Sequence, residues 1–448
     1  MSTFLFKDFE TVSPAAWKQK IQMDLKGADY NETLLWKTDE GIVVRPFYTE
    51  EDRNYADISL PKKGFNICQT VFVDDVSIAN KLAIDALERG ATTIQFTAEK
   101  EFDSEALLNG IDAEATLYFN IDFLDVNFIA ELDKNAHQFE RYFQFDVLGN
   151  LAKTGNWYED FKADIGSTKS MIANVQNCIS VDASIYQNGG ANMTQELAYA
   201  LAQTNEYIVL FGTEVIKQIH YKFAVGSNYF FEIAKLRAFR ILHASLIKEY
   251  SIEDFTPNIF TQPSLRNKTI YDYNVNMLRT TSECMSAVLG GSNTVSNVSY
   301  DTIYHKSNEF GERISRNQLL ILQKEAYLKE AQSFANGSYY IENITKQLAE
   351  KALIIFKQIE KGGGFLKQLR AGNIQKKIKE NAQKEQEQFN QEKIVLLGSN
   401  KLPNEKDRMK ENLELYPFLK KKISQTLSPP IPQLRLSESY EKQRLEME

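Results

Sequence analysis

"FNICQTVFVDDVSIANKLAIDALERGATTIQFTA", residues 65–98, decides the fold. Two β-rich runs, "FNICQTVFV" and "TTIQFTA", flank "DVSIANKLAIDALERG", whose apolar residues recur at helical spacing. The same alternation continues outward. Further strand candidates are "ATLYFNI", "YFQFDVL", "CISVDASIY", "EYIVLFG", "IHYKFAV" and "NIFTQPS". Helical patterns lie between several of them, among them "NMTQELAYALAQT" and "NYFFEIAKLRAFRILHASLI". In the latter, Phe231, Ala234, Ala238, Ile241 and Leu242 share one stripe. Eight strands alternating with helices predict an α/β fold, a parallel (β/α)8 TIM barrel over residues 61–355.

On either side the texture changes. Residues 1–60 read as an N-terminal arm. "SPAAWKQKIQMDLKG" is a short helix with Ser13 as N-cap, Pro14 at its first position and Gly27 as its stop, and "TDEGIVVRPFYTEED" is extended around a turn at Gly41. After about residue 310 come strong helices, one closed by "GGG" at 362–364. Residues 356–448 form a helical and extended linker, with Lys and Glu interleaved over 371–395 as on a solvated helix face. The prolines of "SPPIPQLRLSESYEKQRLEME" predict an extended segment that wraps another surface, followed by a charged helix. Loss of residues 425–448 is then expected to weaken an assembly and leave the barrel folded.

Composition narrows the function classes. The 448 residues are 43% hydrophobic, enough for a large core, and the net charge of −8 argues against a nucleic-acid partner. Cys68, Cys178 and Cys284 are widely spaced and join no CxxC or Cys/His cluster, so neither a disulfide framework nor a metal site is expected. "MSTFLFKDFE" lacks the apolar core of a signal peptide, and no run approaches the ~20 apolar residues of a membrane span. A cytoplasmic protein is the expectation.

Conventional catalytic motifs fail one by one. His137, His220, His243 and His305 make no HExxH and stand beside no nucleophile; His243 reads as a packing residue. "GSTKS" at 166–170 lacks the glycine spacing of a P-loop, and "LGG" at 289–291 reads as a helix end. "GGAN" at 189–192 precedes a helix that Asn192 would cap. "RTT", Arg279, Thr280 and Thr281, places a cation and two hydroxyls just before a helix, suited equally to an anionic ligand and to buried ion pairing.

A series of segments resembles the methylmalonyl-CoA mutase family, and specifically its small, or β, subunit. The matching pieces are "GIVVRPFYTEED", "GGANMTQELAYALA", "NYFFEIAKLRAFR", "NVNMLRTTSECMSAVLGG", "GSYYIENITKQLAEKALIIFKQIEKGGG", "VLLGSNKLPN" and "LRLSESYEKQR", in the family's order over nearly the whole chain. The resemblance implies an arm, an acyl-CoA-type barrel and a wrapping linker. It also implies interconversion of succinyl-CoA and methylmalonyl-CoA, in propionate metabolism, with adenosylcobalamin.

The departures from the family pattern carry the functional expectation. The DxHxxG histidine that ligates cobalt in catalytic chains does not occur in these 448 residues, and side chains cannot replace its radical chemistry. The family's GYHxxEAGA aligns with "ASIYQNGGA", putting Ser184 and Ile185 at the Tyr-His pair. Its LGGxQSLHTN becomes "LGGSNTVSNV", with Ser296 at the second histidine. The tyrosine-bearing segment near the first strand becomes "KKGFNICQT". Isoleucine neither donates a hydrogen bond nor moves a proton. The expectation is therefore no catalytic residue and no bound metal. Arg279, Thr280 and Thr281 are candidate pocket-lining residues.

The leading reading is a non-catalytic small subunit, inactive alone, that stabilises a large catalytic subunit carrying adenosylcobalamin in a heterodimer. The runner-up is the catalytic barrel of a split mutase with a separate cobalamin-binding chain. A third is a free-standing ligand-binding or chaperone-like barrel.

Overall fold

Strand β1 (Asn66–Phe72), helix α1 (Val76–Glu88) and strand β2 (Thr93–Ala98) realise the alternation of residues 65–98. Asp75 caps the helix by accepting from the Ile78 amide at 2.9 Å. The helix buries Ala79, Ala83 and Ala86, whose small side chains let it lie close on the strands. The structure, a computed structural model, describes residues 8–10, 12–53, 58–61, 64–252, 255–330, 333–419 and 425–448.

Six more strands follow: β3 (Thr116–Ile121), β4 (Glu140–Phe143), β5 (Ile179–Asp182), β6 (Ile219–Val225), β7 (Ile259–Pro263) and β8 (Thr294–Ser296). All neighbours pair in parallel from β4 through β3, β2 and β1 to β8, β7, β6 and β5. The remaining seam joins at its ends: the Phe143 amide donates to the Asn177 carbonyl (2.9 Å) and the Ser180 amide to the Phe145 carbonyl (2.8 Å). The result is a nearly closed (β/α)8 barrel, as predicted.

The eighth strand is not where the pattern put it. "EYIVLFG", residues 206–212, ends helix α2 (Met193–Phe211), started by a reciprocal capping box between Asn192 and Gln195. Tyr207 and Ile208 are buried from that helix, so packing overrides their strand preference. The missing strand is β8, inside "SNTVSNV", where only Val295 joins the large core cluster. "YFQFDVL" and "CISVDASIY" also stop short as strands: helices begin at Val147, capped by Asp146, and at Ser184.

The elements outside the barrel differ in how much they bury. Ser13 Oγ accepts from the Ala16 amide (3.2 Å) to start helix Pro14–Asp24 as expected, yet that helix buries no residue. Trp36–Lys37 and Val43–Val44 pair antiparallel around Gly41. On the barrel wall, α3 (Tyr229–Glu249) and α4 (Tyr339–Lys361) pack together, with α4 also against α2.

The Pro-rich tail wraps a surface of its own chain. Ser428 and Ile431 amides donate to the Gly155 and Ala152 carbonyls at 3.1 and 2.9 Å. Leu434 and Leu436 continue to the carbonyls of Asn188 (3.3 Å) and Arg266 (2.9 Å). Arg435 then meets Glu441 at 2.6 Å, both buried, which docks helix Glu438–Met447. Residues 425–448, expected to wrap another surface, thus bond to the barrel of their own chain. They cover the loops at its carboxyl end.

Candidate functional site

In a parallel barrel, chemistry is built at the carboxyl ends of the strands. Three positions expected to have lost it can be followed there. Ser184 opens a one-turn helix just after β5. Its hydroxyl donates to the Asp182 carboxylate in a short hydrogen bond, and its amide donates to the same oxygen at 3.1 Å. Asp182 also lies 3.5 Å from the Lys222 ammonium. Ser184 is thus spent on its own turn.

Ile185 is buried in the main apolar cluster. Its carbonyl accepts from the Gly189 amide (3.1 Å) and from Gln433 Nε2 of the tail (3.2 Å). Ile431 presses so closely here that a Cβ on Gly189 would lie 2.3 Å from its methyl. Ile185, expected at the place of the family histidine, is therefore a hydrocarbon under a strap.

Ser296 is fully buried on β8, paired in register with Cys68. Its hydroxyl lies 3.2 Å from Thr70 Oγ1, which donates to Gln95 Oε1 at 2.8 Å; Gln95 in turn donates to Gln144 at 2.6 Å. Burial holds the Cys68 thiol far above its ordinary range despite a hydrogen bond with Ser296. Of "KKGFNICQT", Lys62 and Lys63 lie outside the described residues.

Helix α5 (Val275–Leu289) begins before "RTT" rather than after it, so Arg279, Thr280 and Thr281 sit in its early turns. Their side chains are held within the chain. Arg279 donates to Thr269 Oγ1 (3.0 Å), Asn276 Oδ1 (2.8 Å) and the Leu397 carbonyl (2.7 Å). Thr280 and Thr281 bond the Met277 carbonyl and accept from Gln318. Asn192 caps its helix, "GSTKS" lies inside helix Phe161–Asn174, and Gly290 caps α5.

The feature that motif reasoning missed is the plug of the barrel. Tyr118 and Tyr142 stack at 4.8 Å, Phe260 lies 4.9 Å from Tyr118, and His220 meets Tyr142 edge-on at 5.3 Å. With Cys68 the two tyrosines and Phe260 form an apolar cluster apart from the main core. Their polar ends are tied below. Tyr118 donates to Asn258 (3.1 Å), Asn258 to the Tyr142 hydroxyl (2.9 Å), and Tyr142 to Glu140 (2.8 Å). An acyl-CoA tail threading the axis would have to displace these rings. The signal was present in the period of two: Tyr118 and Tyr142 are register partners on neighbouring strands.

Charged groups near the mouth are also occupied. Lys235, fully buried, joins Glu196 (2.8 Å) and Glu232 (2.6 Å) and donates to the Ala224 carbonyl at the end of β6 (2.7 Å). Burial pushes the Glu196 carboxyl up to about 7, against the pull of Lys235. Among the described residues, His220 and His243 have no hydrogen-bond partner on either ring nitrogen, and burial pushes each down to about 3. His305 pairs with Asp301 at 3.2 Å, and His137 rests on the Lys134 carbonyl. No group of three or more metal-ligating side chains occurs among the described residues. Nor is any described helix long and apolar enough to cross a membrane.

Relatives agree with this frame. The methylmalonyl-CoA mutase small subunit of Porphyromonas gingivalis is 31% identical over 89% of this chain and 71% of its own length. The methylmalonyl-CoA mutase of Cereibacter sphaeroides is 27% identical over 86% of this chain, which spans 64% of that relative. The large subunit from P. gingivalis matches at 30% over 51% of this chain and 34% of its own, so small and large forms occur in one organism. With residues 126–443, which hold strands β4 to β8 and most of the strap, matching the methylmalonyl-CoA mutase family, the chain belongs to that family.

Proposed function

We propose that this chain is the non-catalytic small subunit of an adenosylcobalamin-dependent methylmalonyl-CoA mutase. In this reading it stabilises a large subunit that interconverts succinyl-CoA and methylmalonyl-CoA within a cytoplasmic heterodimer. The observation that carries it is Ile185, buried beneath Gln433 and Ile431 above a barrel filled by Tyr118, Tyr142, His220 and Phe260. Isoleucine supplies no proton at the position that the resemblance assigns to a histidine, and a thioester entering along the axis would meet those rings. In this reading cobalt ligation is the partner's, and no DxHxxG occurs among these 448 residues. The helix Pro14–Asp24, which buries nothing of its own, supports an arm that reaches for a second chain.

The test is an affinity pull-down of this chain from its native cells, with co-purifying chains identified by mass spectrometry. A stoichiometric long partner carrying both a barrel and DxHxxG is expected. Recovery of only a short cobalamin-binding chain would overturn the proposal in favour of the split mutase. Recovery of no partner would favour the free-standing barrel.

A further inference from the structure

The outer wall of the barrel carries a groove that the fold leaves unsatisfied. It lies between α3 and α4, with Ile58 at one edge, and has a volume of 260 Å³. Ile241, Leu242, Ala349 and Leu353 give it an apolar lining. Among the described residues, three polar side chains on the same walls have buried atoms without a hydrogen-bond partner: Arg237 (Nε and Nη1), Thr345 (Oγ1) and Glu342 (Oε2). Arg237 and Thr345 are each 2% exposed, so bulk water does not solvate them freely. The other Glu342 oxygen is held by the Gly337 amide at 2.8 Å, which fixes the free oxygen's direction. At the rim, Lys346 and Glu350 face one another at 3.9 Å.

Buried polar groups without partners are rare, and a guanidinium among them is costly. Arg237 feels the Glu342 charge nearby, but its Nε and Nη1 meet no carboxylate oxygen, the place a ligand carboxylate would take. Glu342 on the same wall disfavours a simple anion and calls for a cationic donor. The aliphatic lining calls for an alkyl group. The volume is below the ~300–1,000 Å³ of drug-sized ligand sites, which restricts the occupant to a small metabolite. From this charge and shape complementarity we infer that the groove binds a free α-amino acid with an aliphatic side chain. Arg237 takes the carboxylate, Glu342 the ammonium group, and Ile241, Leu242 and Leu353 the side chain. The site lies on the helical wall, away from the barrel mouth, and does not depend on the subunit reading.

Calorimetric titration of the purified 448-residue chain with L-leucine tests this. Saturable binding is expected. Leucinamide, which lacks the carboxylate, and 4-methylpentanoate, which lacks the ammonium group, are expected to bind at least about tenfold more weakly. Ala349→Phe fills the groove and should abolish binding. Glu342→Gln should weaken leucine and narrow its advantage over 4-methylpentanoate, a change in selectivity that a purely structural role would not produce. A folded chain giving no heat with leucine at about 10 mM would mean the groove holds only water or another protein's side chain, and would overturn the inference. Binding unchanged in a folded Ala349→Phe variant would overturn it equally.

Discussion

The barrel interior and the N-terminal helix stand at opposite extremes of this molecule. Inside the barrel, Tyr118, Tyr142 and Phe260 bury their rings on one another and pass their polar ends along a chain of hydrogen bonds. Helix Pro14–Asp24 is well capped and buries nothing, with Trp17 half exposed. A cap and local propensity give a short helix little stability in water; an apolar surface to pack on gives it more. The barrel is therefore finished by its own chain, whereas the arm has the form of an element completed elsewhere.

That contrast can be broken most sharply from inside. Tyr118→Ala removes a buried ring and the donor to Asn258 Oδ1, and should cost about 3–5 kcal/mol in urea unfolding. A loss below about 1 kcal/mol would mean the plug is not a stability element. At the tail, Arg435→Ala leaves Glu441 without its buried cation and should cost about 3 kcal/mol. If chemical unfolding shows no change, the strap is not part of the barrel's cooperative unit.

A pH series sharpens the same contrast. The native pKa of His220 is pushed down to about 3 by burial, below its unfolded value near 6.5. Below about pH 6.5 the unfolded chain takes up a proton that the native chain does not. Stability contributed by His220 is thus present above pH 6.5 and lost as pH falls towards 3, by up to about 1.4 kcal/mol per pH unit. His220→Phe should flatten this part of the curve; parallel curves for the two proteins would contradict a buried neutral imidazole. The smallest expected effect is on the arm. Trp17→Ala should change the chain's own stability by no more than about 0.5 kcal/mol, yet weaken a complex with the proposed large subunit in sedimentation.

Most of the barrel was legible because outward-facing residues such as Ile94, Phe96, Leu117 and Phe119 recur every second position. β8 was not, for a physical reason: in a three-residue strand whose Thr294 and Ser296 side chains turn to a polar interior, only Val295 carries the period. The spurious strand at 206–212 shows the converse, a β-rich composition overridden by a strong cap and a buried helix face. At the candidate site, the substitutions expected at Ser184, Ile185 and Ser296 rest on alignment with family motifs, which carries no information on what each side chain touches. The strap over Ile185 was not legible, because its contacts join residues far apart in sequence: Gln433 to Ile185 and Arg435 to Lys268. Its prolines suggested that it wraps a surface without indicating which.

The strap also bears on the timing of synthesis. β8 closes the sheet against β1, but the loops at the barrel's carboxyl end are covered only when Ile431 and Gln433 have left the ribosome. At ~5–20 residues per second, that leaves an interval of seconds to tens of seconds during which a paired barrel stands with Ile185 uncovered. A chain stalled in that interval would display Ile185 and its neighbours to chaperones and proteases. Cellular quality control would thus have a direct way to tell a nascent chain from a completed one.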